Sequence, residues 1–450
     1  MSEPEIVAVV DEGLGNSSYL VELGDGGALV VDPERDPGPY LAEADKRGLR
    51  ITVVAETHLH ADFVSGSREL AARGARVVAA RAAGLEHPHH GLVGGGQVDL
   101  GGLTLEALAT PGHTPEHLAY LLRDASQPVA LFSGGSLLVG AVARTDLISP
   151  ERTETLARSL WRSIQTQLLS LPDELAVFPT HGAGSFCSVA PGGERTTTIG
   201  RERSSNPLLA AADEDAFVAR LVGGFGTFPP YFLELREVNR RGPQVYGRFP
   251  TLDPLDPARV EELVADGAGV VDVRHVEPFA AGHIPGSLSI ALRPQLASWL
   301  GWLLARDRPI VFVVDDDQDR AELVRQCLTI GYERLAGELA GGMQAWRRAG
   351  LPVATVSLVT AADSVGTLVD VRQEGEFVAG HVAGALNVEL GATAEQGSCL
   401  PAGPLTLMCG HGERAMSAAS ILAAQGRTDI AVLVGGPAEV AAARHQQLAV

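Results

Sequence analysis

Two histidines two residues apart, with a carboxylate two further on, make His58-Leu59-His60-Ala61-Asp62 the stretch of this chain best suited to hold a metal ion. Imidazole nitrogens suit zinc and iron, and alternate residues just past a strand end can turn toward one ion. Two more histidines stand in matching positions, His113 in Thr110-Pro111-Gly112-His113-Thr114-Pro115-Glu116-His117 and His181 in Phe178-Pro179-Thr180-His181-Gly182-Ala183-Gly184. A second chemistry is offered by Met408-Cys409-Gly410-His411-Gly412-Glu413-Arg414-Ala415. There a cysteine opens a glycine-bearing curl ahead of a helical pattern, Met416 to Gln425. Inward-pointing backbone N–H groups, a helix N-terminus and Arg414 are expected to favour its thiolate. Such a thiolate accepts a sulfane sulfur, becomes a persulfide and passes the sulfur to a nucleophile.

The elements that must position these residues are visible as apolar runs. Ile51 to Ala55, Leu103 to Leu108 and Leu175 to Phe178 each read as a strand just before one of the histidines. Ligands at the carboxyl ends of several strands fall on one edge of a sheet layer, where open α/β sheets place their sites. His87, His89 and His90 lie in a Pro-broken loop and read as surface residues. Helical spacing marks Glu154 to Leu171, and a tail from Asn206 to Tyr246 begins with a helix over Asp213 to Val222. A Pro/Gly-rich linker, Gly242 to Pro254, then marks a boundary.

Beyond that linker the sequence repeats itself. Val271-Asp272-Val273-Arg274 recurs as Val369-Asp370-Val371-Arg372, and Phe279 recurs as Phe377. Ala281-Gly282-His283-Ile284-Pro285-Gly286 recurs as Ala379-Gly380-His381-Val382-Ala383-Gly384, at the same offset. Each copy has a second apolar strand (Ile310 to Val314; Leu405 to Cys409) followed by a helix, the order of a doubly wound α/β unit. The Asp, Arg and His of the repeat read as structural hydrogen-bonders. The place of Cys409 is taken in the first copy by Asp315, within Asp315-Asp316-Asp317-Gln318-Asp319-Arg320. A carboxylate cannot carry sulfane sulfur, so that copy is expected to be silent. Cys327 reads as a core residue of the following helix, and Cys399 as a surface thiol.

Three domains are expected: residues 1–248, 249–355 and 356–450 of the 450. A formal net charge of −20 argues against nucleic acid and anionic membrane surfaces as partners. The acidic start, Met1-Ser2-Glu3-Pro4-Glu5, carries no apolar signal region, and no apolar run approaches a membrane span. Four cysteines in so long a chain make no disulfide framework, so a cytoplasmic location is expected. A homo-oligomer is compatible with the sequence.

Leu29-Val30-Val31-Asp32-Pro33, the Glu56 to Gly66 segment around His58, and the stretch Thr110 to His117 resemble the metallo-β-lactamase fold, in the persulfide dioxygenase branch related to glyoxalase II. The Asp-Val-Arg and Gly-His-Ile-Pro-Gly patterns, with the Cys409 loop, resemble rhodanese domains. The whole is similar to a bacterial persulfide dioxygenase–rhodanese fusion. The resemblance implies an α/β chain: an αββα sandwich, then a silent and an active rhodanese-like doubly wound domain. It implies a single Fe(II) held by two histidines and one aspartate, which map onto His58, His113 and position 135. Relatives read Gly-Asp at that last place, but here it is Gly134-Gly135. Ala141 and Ala143 stand where relatives often have Asp and Gly, and Phe63 replaces a frequent histidine of two-metal relatives. Cys187, six residues past His181, lies where fused relatives carry a cysteine near the iron pocket, and a role in binding persulfide is implied for it.

Three outcomes follow for the metal. His58, His60 and His113 form a three-nitrogen site with water in the fourth place, the geometry of a catalytic Zn(II). Alternatively, Asp62 or His181 completes a weakened iron site, or the domain survives as a metal-free scaffold. Restoring the carboxylate with Gly135→Asp is expected to raise iron occupancy. The implied function is oxidation of a low-molecular-weight persulfide, of glutathione or coenzyme A type, to sulfite. Sulfur transfer among persulfide, sulfite and thiosulfate through Cys409 accompanies it, in sulfide detoxification. The alternatives are a zinc thioester hydrolase of glyoxalase II type and a non-enzymatic sulfane-sulfur carrier.

Overall fold

A computed structural model describes residues 4–187 and 193–450. The chain divides into two compact units, Met1–Phe249 with Cys327–Gly331, and Pro250–Gln326 with Tyr332–Val450.

In the first unit, alternation along each strand builds four layers. One six-stranded sheet runs, in spatial order, Ile6–Asp11, Asn16–Glu22, Gly27–Val31, Arg50–Ala55, Arg76–Ala80 and His90–Leu92. The other runs Thr197–Thr198, Ala176–Pro179, Gln127–Gly134, Leu118–Asp124, Leu103–Ala109 and Gln97–Asp99. Successive strand residues point to opposite faces. Tyr19, Val21, Leu29, Val31, Val53 and Ala55 therefore pack with Leu105, Ala107, Tyr120 and Phe132 in one core between the sheets. Their neighbours Leu20, Val30 and Val54 face out, onto Tyr40 and Ala44 of the helix Gly38–Lys46 and Leu70 of the helix Ser67–Ala71. Likewise Leu121, Leu131 and Val177 face out onto helix Thr153–Ser163 and helix Glu214–Gly223 through Leu160 and Phe217. The result is the αββα sandwich.

Thr153–Ser163 is shorter than the helix that the spacing over Glu154 to Leu171 predicts. A wider turn over Ile164–Leu168 follows it, which keeps Ile164 and Leu168 buried. The tail helix, Phe232–Arg241, lies against the metal-type loop: Asn239 Nδ2 donates to the carbonyls of His60 and Phe63, each at 2.9 Å.

The second unit holds two five-stranded parallel sheets of identical order. In the first the order is Pro254–Leu255, Leu335–Leu339, Ile310–Val313, Gly269–Asp272, Leu288–Ser289. In the second it is Ser357–Val359, Ile430–Leu433, Leu405–Met408, Thr367–Asp370, Leu386–Asn387. The repeated polar residues have repeated jobs. Arg274 clamps Asp272 through Nε and Nη2 at 2.8 and 2.6 Å, and Arg372 does the same for Asp370. His283 stacks on Phe279, and His381 on Phe377, with ring centroids 3.9 Å apart in both.

Candidate metal centre and sulfur-carrying loop

The histidines stand at the carboxyl ends of strands from both sheets, as the strand-then-histidine pattern predicts. His58, His60, His113, His117 and His181 are each at most 3 % exposed. His58 lies amid the others, its ring centroid 4.2 Å from His60, 4.8 Å from His113, 5.0 Å from His117 and 5.4 Å from His181.

Hydrogen bonds behind the rings set which nitrogen faces inward. Asp32, after strand Gly27–Val31 and held at φ +50°, is fully buried and accepts from Thr57 N and Thr57 Oγ1, each at 2.7 Å, and from Thr180 Oγ1. Since the Thr57 hydroxyl donates to Asp32, it accepts from His58 Nδ1 at 2.8 Å. His58 Nε2 is therefore left with its lone pair. His113 Nδ1 donates to the Arg144 carbonyl at 2.6 Å, and His181 Nδ1 to Asn16 Oδ1 at 3.0 Å, with Asp62 Oδ2 3.3 Å away. Both of those rings also keep an Nε2 lone pair.

His60 points its Nε2 outward, to Glu56 at 3.1 Å and Asp32 at 3.3 Å, while its Nδ1 is buried without a hydrogen-bond partner. Burial opposes its charge, but Asp32 and Glu56 overcome that and raise its pKa to about 10. His58 and His113 are instead held well below the usual range, by burial first and by neighbouring histidines. Phe63 stacks on His60 with ring centroids 4.1 Å apart.

Asp62 is a supporting residue in this geometry. Its Oδ2 accepts from Asn16 Nδ2 at 2.9 Å, and its Oδ1 is buried without a partner. Cys187 is fully buried, with its thiol pushed well up by burial and by Asp62. Ligating atoms of His58, His60 and His181 lie within 4.8 Å of one another, as do those of His113, His181 and Cys187. His181 belongs to both groups.

His117 does not stand out in the sequence. It donates through Nδ1 to Thr110 Oγ1 at 2.8 Å and accepts the Gly135 N–H through Nε2 at 3.0 Å. Burial lowers its pKa to about 3. Its four-residue spacing from His113 is the one signal that could have found it. Asn16 and Asn239 also escape a sequence reading, and Asp32 and Thr57, though inside the motif stretches, show no sign there of their supporting roles.

The donor set fits the family's cofactor only in part. Inward lone pairs on buried imidazoles suit a divalent transition metal. They do not reproduce the two-histidine, one-aspartate iron triad, because Gly135 offers no carboxylate.

In the second unit, Cys409 directly follows strand Leu405–Met408, which ends one residue earlier than the sequence predicts, and is 1 % exposed. Its Sγ accepts the Gly412 N–H at 3.1 Å. Gly412, at φ +104°, is the N-cap of the helix Glu413–Ala424, which starts three residues earlier than the apolar pattern predicts. Arg414 does not hydrogen-bond the sulfur. Its guanidinium pairs with Glu376 at 2.6 and 2.9 Å and lies 5.7 Å from the Trp299 ring centroid, close enough for its charge to be felt at Cys409.

The equivalent loop of the first copy is filled by its own side chains. Arg320 Nη1 donates to the carbonyls of Asp315 and Gln318 at 2.8 and 2.9 Å, and Gln318 Oε1 accepts the Asp315 N–H at 3.0 Å. Cys327 is buried and Cys399 exposed.

The metallo-β-lactamase superfamily profile matches residues 11–181, and the rhodanese-like domain profile matches 256–349 and 356–443. Human persulfide dioxygenase ETHE1, mitochondrial, is 30 % identical over 191 residues, 42 % of this chain and 68 % of that protein. The chain belongs to the metallo-β-lactamase superfamily, in the persulfide dioxygenase family, fused to two rhodanese-like domains.

A hydroxyacylglutathione hydrolase of Methylococcus capsulatus (strain Bath) is 38 % identical over 172 residues, 37 % of this chain and 62 % of that protein. The solved metallo-β-lactamase from Staphylococcus aureus subsp. aureus COL superposes with a TM-score of 0.68 at 29 % identity, covering 75 % of this chain and 99 % of that one. By family this is a sulfurtransferase- and dioxygenase-like enzyme of sulfur metabolism, and its fold implies a metal. Among the described residues, no helix is long and apolar enough to cross a membrane.

Proposed function

We propose that this protein moves sulfane sulfur through a persulfide on Cys409, serving sulfide detoxification in a reducing cytoplasm. The supporting observation is the Gly412 N–H, 3.1 Å from Cys409 Sγ at the start of a twelve-residue helix. That N–H and the helix N-terminus stabilise negative charge on sulfur. The thiolate attacks the outer sulfur of thiosulfate, the S–S bond breaks and sulfite departs with the electron pair. A low-molecular-weight thiolate, of glutathione or coenzyme A type, then attacks the terminal sulfur and regenerates Cys409. Oxidation state is conserved throughout, so the transfer requires no cofactor.

The first domain's share is the same pool of low-molecular-weight persulfide, held at a metal centre within the buried cluster of His58, His60, His113 and His181, not all of which need be ligands, with Asp62 and Cys187 beside it. Such a metal would supply a Lewis acid, and the chain's own residues orient the rings and keep the site dry. Fe(II) and persulfide oxidation to sulfite are what the resemblance implies. The triad that chemistry uses has Gly135 at its carboxylate, so no step is assigned to iron.

Replacing Cys409 with Ser tests the transfer. Thiosulfate-dependent sulfur transfer to glutathione is expected to fall by about a thousandfold or more. Undiminished transfer would refute the assignment.

A further inference from the structure

The geometry points to a cation site that differs from the family's: His58, His60 and His181 holding a zinc-class ion, with the carboxylate position abandoned to the His113 ring. This rests on the metal-binding reading of the first domain and deepens it by naming ligands and ion class.

Two observations carry it. His58 Nε2 and His181 Nε2 face each other at 3.4 Å, and each ring's Nδ1 already donates elsewhere. A shared proton or a metal ion satisfies two ring nitrogens at that distance, and of the two only a metal ion also engages the third ring. For Zn–N bonds of about 2.1 Å the edge of a tetrahedron is about 3.4 Å, whereas cis nitrogens of an octahedron are about 3.0 Å apart. The third ligand is a nitrogen of His60 that gives up its proton as the ion binds. His60 Nδ1 is buried without a partner, while its Nε2 is backed by Glu56 and Asp32. Every ring of the trio thus has an acceptor behind it: Thr57 for His58, the two carboxylates for His60, and Asn16 with Asp62 for His181. That backing orients a metal-binding imidazole. Neutral nitrogen donors favour zinc over ferrous iron in the divalent affinity order.

Position 135 explains the change of ion. A Cβ on Gly135 would lie 2.5 Å from His113 Cδ2 and 3.1 Å from Ala143 Cβ. The Gly135 backbone is pinned at that spot by His117 Nε2, which accepts its N–H at 3.0 Å. Contrary to the expectation from sequence, Gly135→Asp alone therefore does not restore an iron site, because the side chain enters space that His113 occupies.

The test uses the full chain, stripped with a chelator and offered Zn(II), Co(II) or Fe(II) anaerobically, with metal content and the Co(II) absorption spectrum as readouts. A single Zn(II) or Co(II) per chain with a four-coordinate cobalt spectrum is expected, and Fe(II) binding at least about tenfold weaker. His181→Ala is expected to lower Co(II) affinity by about a hundredfold or more, and His113→Ala by less than about tenfold. Gly135→Asp is expected to leave iron content unchanged. A six-coordinate cobalt spectrum, no bound metal, or a larger loss from His113→Ala than from His181→Ala would each overturn the proposal. The wild-type cobalt spectrum decides without a variant, and retained sulfur transfer at Cys409 checks that the chain is otherwise intact. Loss of metal with transfer intact overturns this inference and leaves the Cys409 reading standing.

Discussion

Asp32 is the residue on which the histidine cluster depends most. Its buried carboxylate accepts from Thr57, Thr180 and His60 at once, and burial, which would raise its pKa, is overcome by His60 and these hydrogen bonds. Replacing it with Ala strands a buried imidazole and three donors. A loss of about 3–5 kcal/mol in folding stability of the first unit is expected by urea unfolding. A loss under about 1 kcal/mol would show that the network is dispensable.

The same cluster sets a pH dependence in metal-free protein. His60 keeps its proton when folded up to about pH 10, against about 6.5 when unfolded. Its contribution is complete below about pH 6.5 and is lost as pH rises through about 10. His117, lowered to about 3, acts in the opposite sense. Below about pH 6.5 the unfolded chain takes up a proton that the folded ring refuses, so stability falls on acidification toward pH 3. Urea midpoints at about pH 5, 7 and 9 should peak near neutrality, and a monotonic profile would contradict this assignment.

At the scale of elements, the first rhodanese-like copy supports the second. Its helix Leu296–Leu303 carries Trp299 beneath Arg414, and Arg293 pairs with Glu413 at 2.7 Å. Ser417 and Ser420, on the helix after Cys409, bond the backbone of Ser289. Trp299→Ala should raise KM for thiosulfate about fivefold through the loss of one cation–π contact, with little change in kcat. An unchanged KM would refute a positioning role for Trp299.

The strands, the repeat and the Cys409 curl are legible in sequence because period-two alternation and glycine placement are local signals. Four of the five clustered histidines stand out for the same reason, each just past an apolar run. His117 does not, because no apolar run leads directly into it. Asp32 and Asn239 do not, because partners of theirs lie far along the chain: Asn239 Nδ2 reaches His60 O across 179 positions, and Thr180 Oγ1 reaches Asp32 across 148. The sequence places Arg414 near the sulfur, but its pairing with Glu376 is invisible there for the same reason.

Across the whole molecule, two chemistries are joined in one chain, and joining them raises the effective concentration of any sulfur species passed between them. All four cysteines are unpaired, and only Cys399 is exposed. The most direct test is mass spectrometry of the intact chain and its peptides after brief exposure to thiosulfate, followed by excess glutathione. Cys409 is expected to gain one sulfur atom and lose it to the thiol, while Cys187, Cys327 and Cys399 stay unchanged. Sulfur retained on another cysteine, with Cys409 unmodified, would contradict the Cys409 assignment.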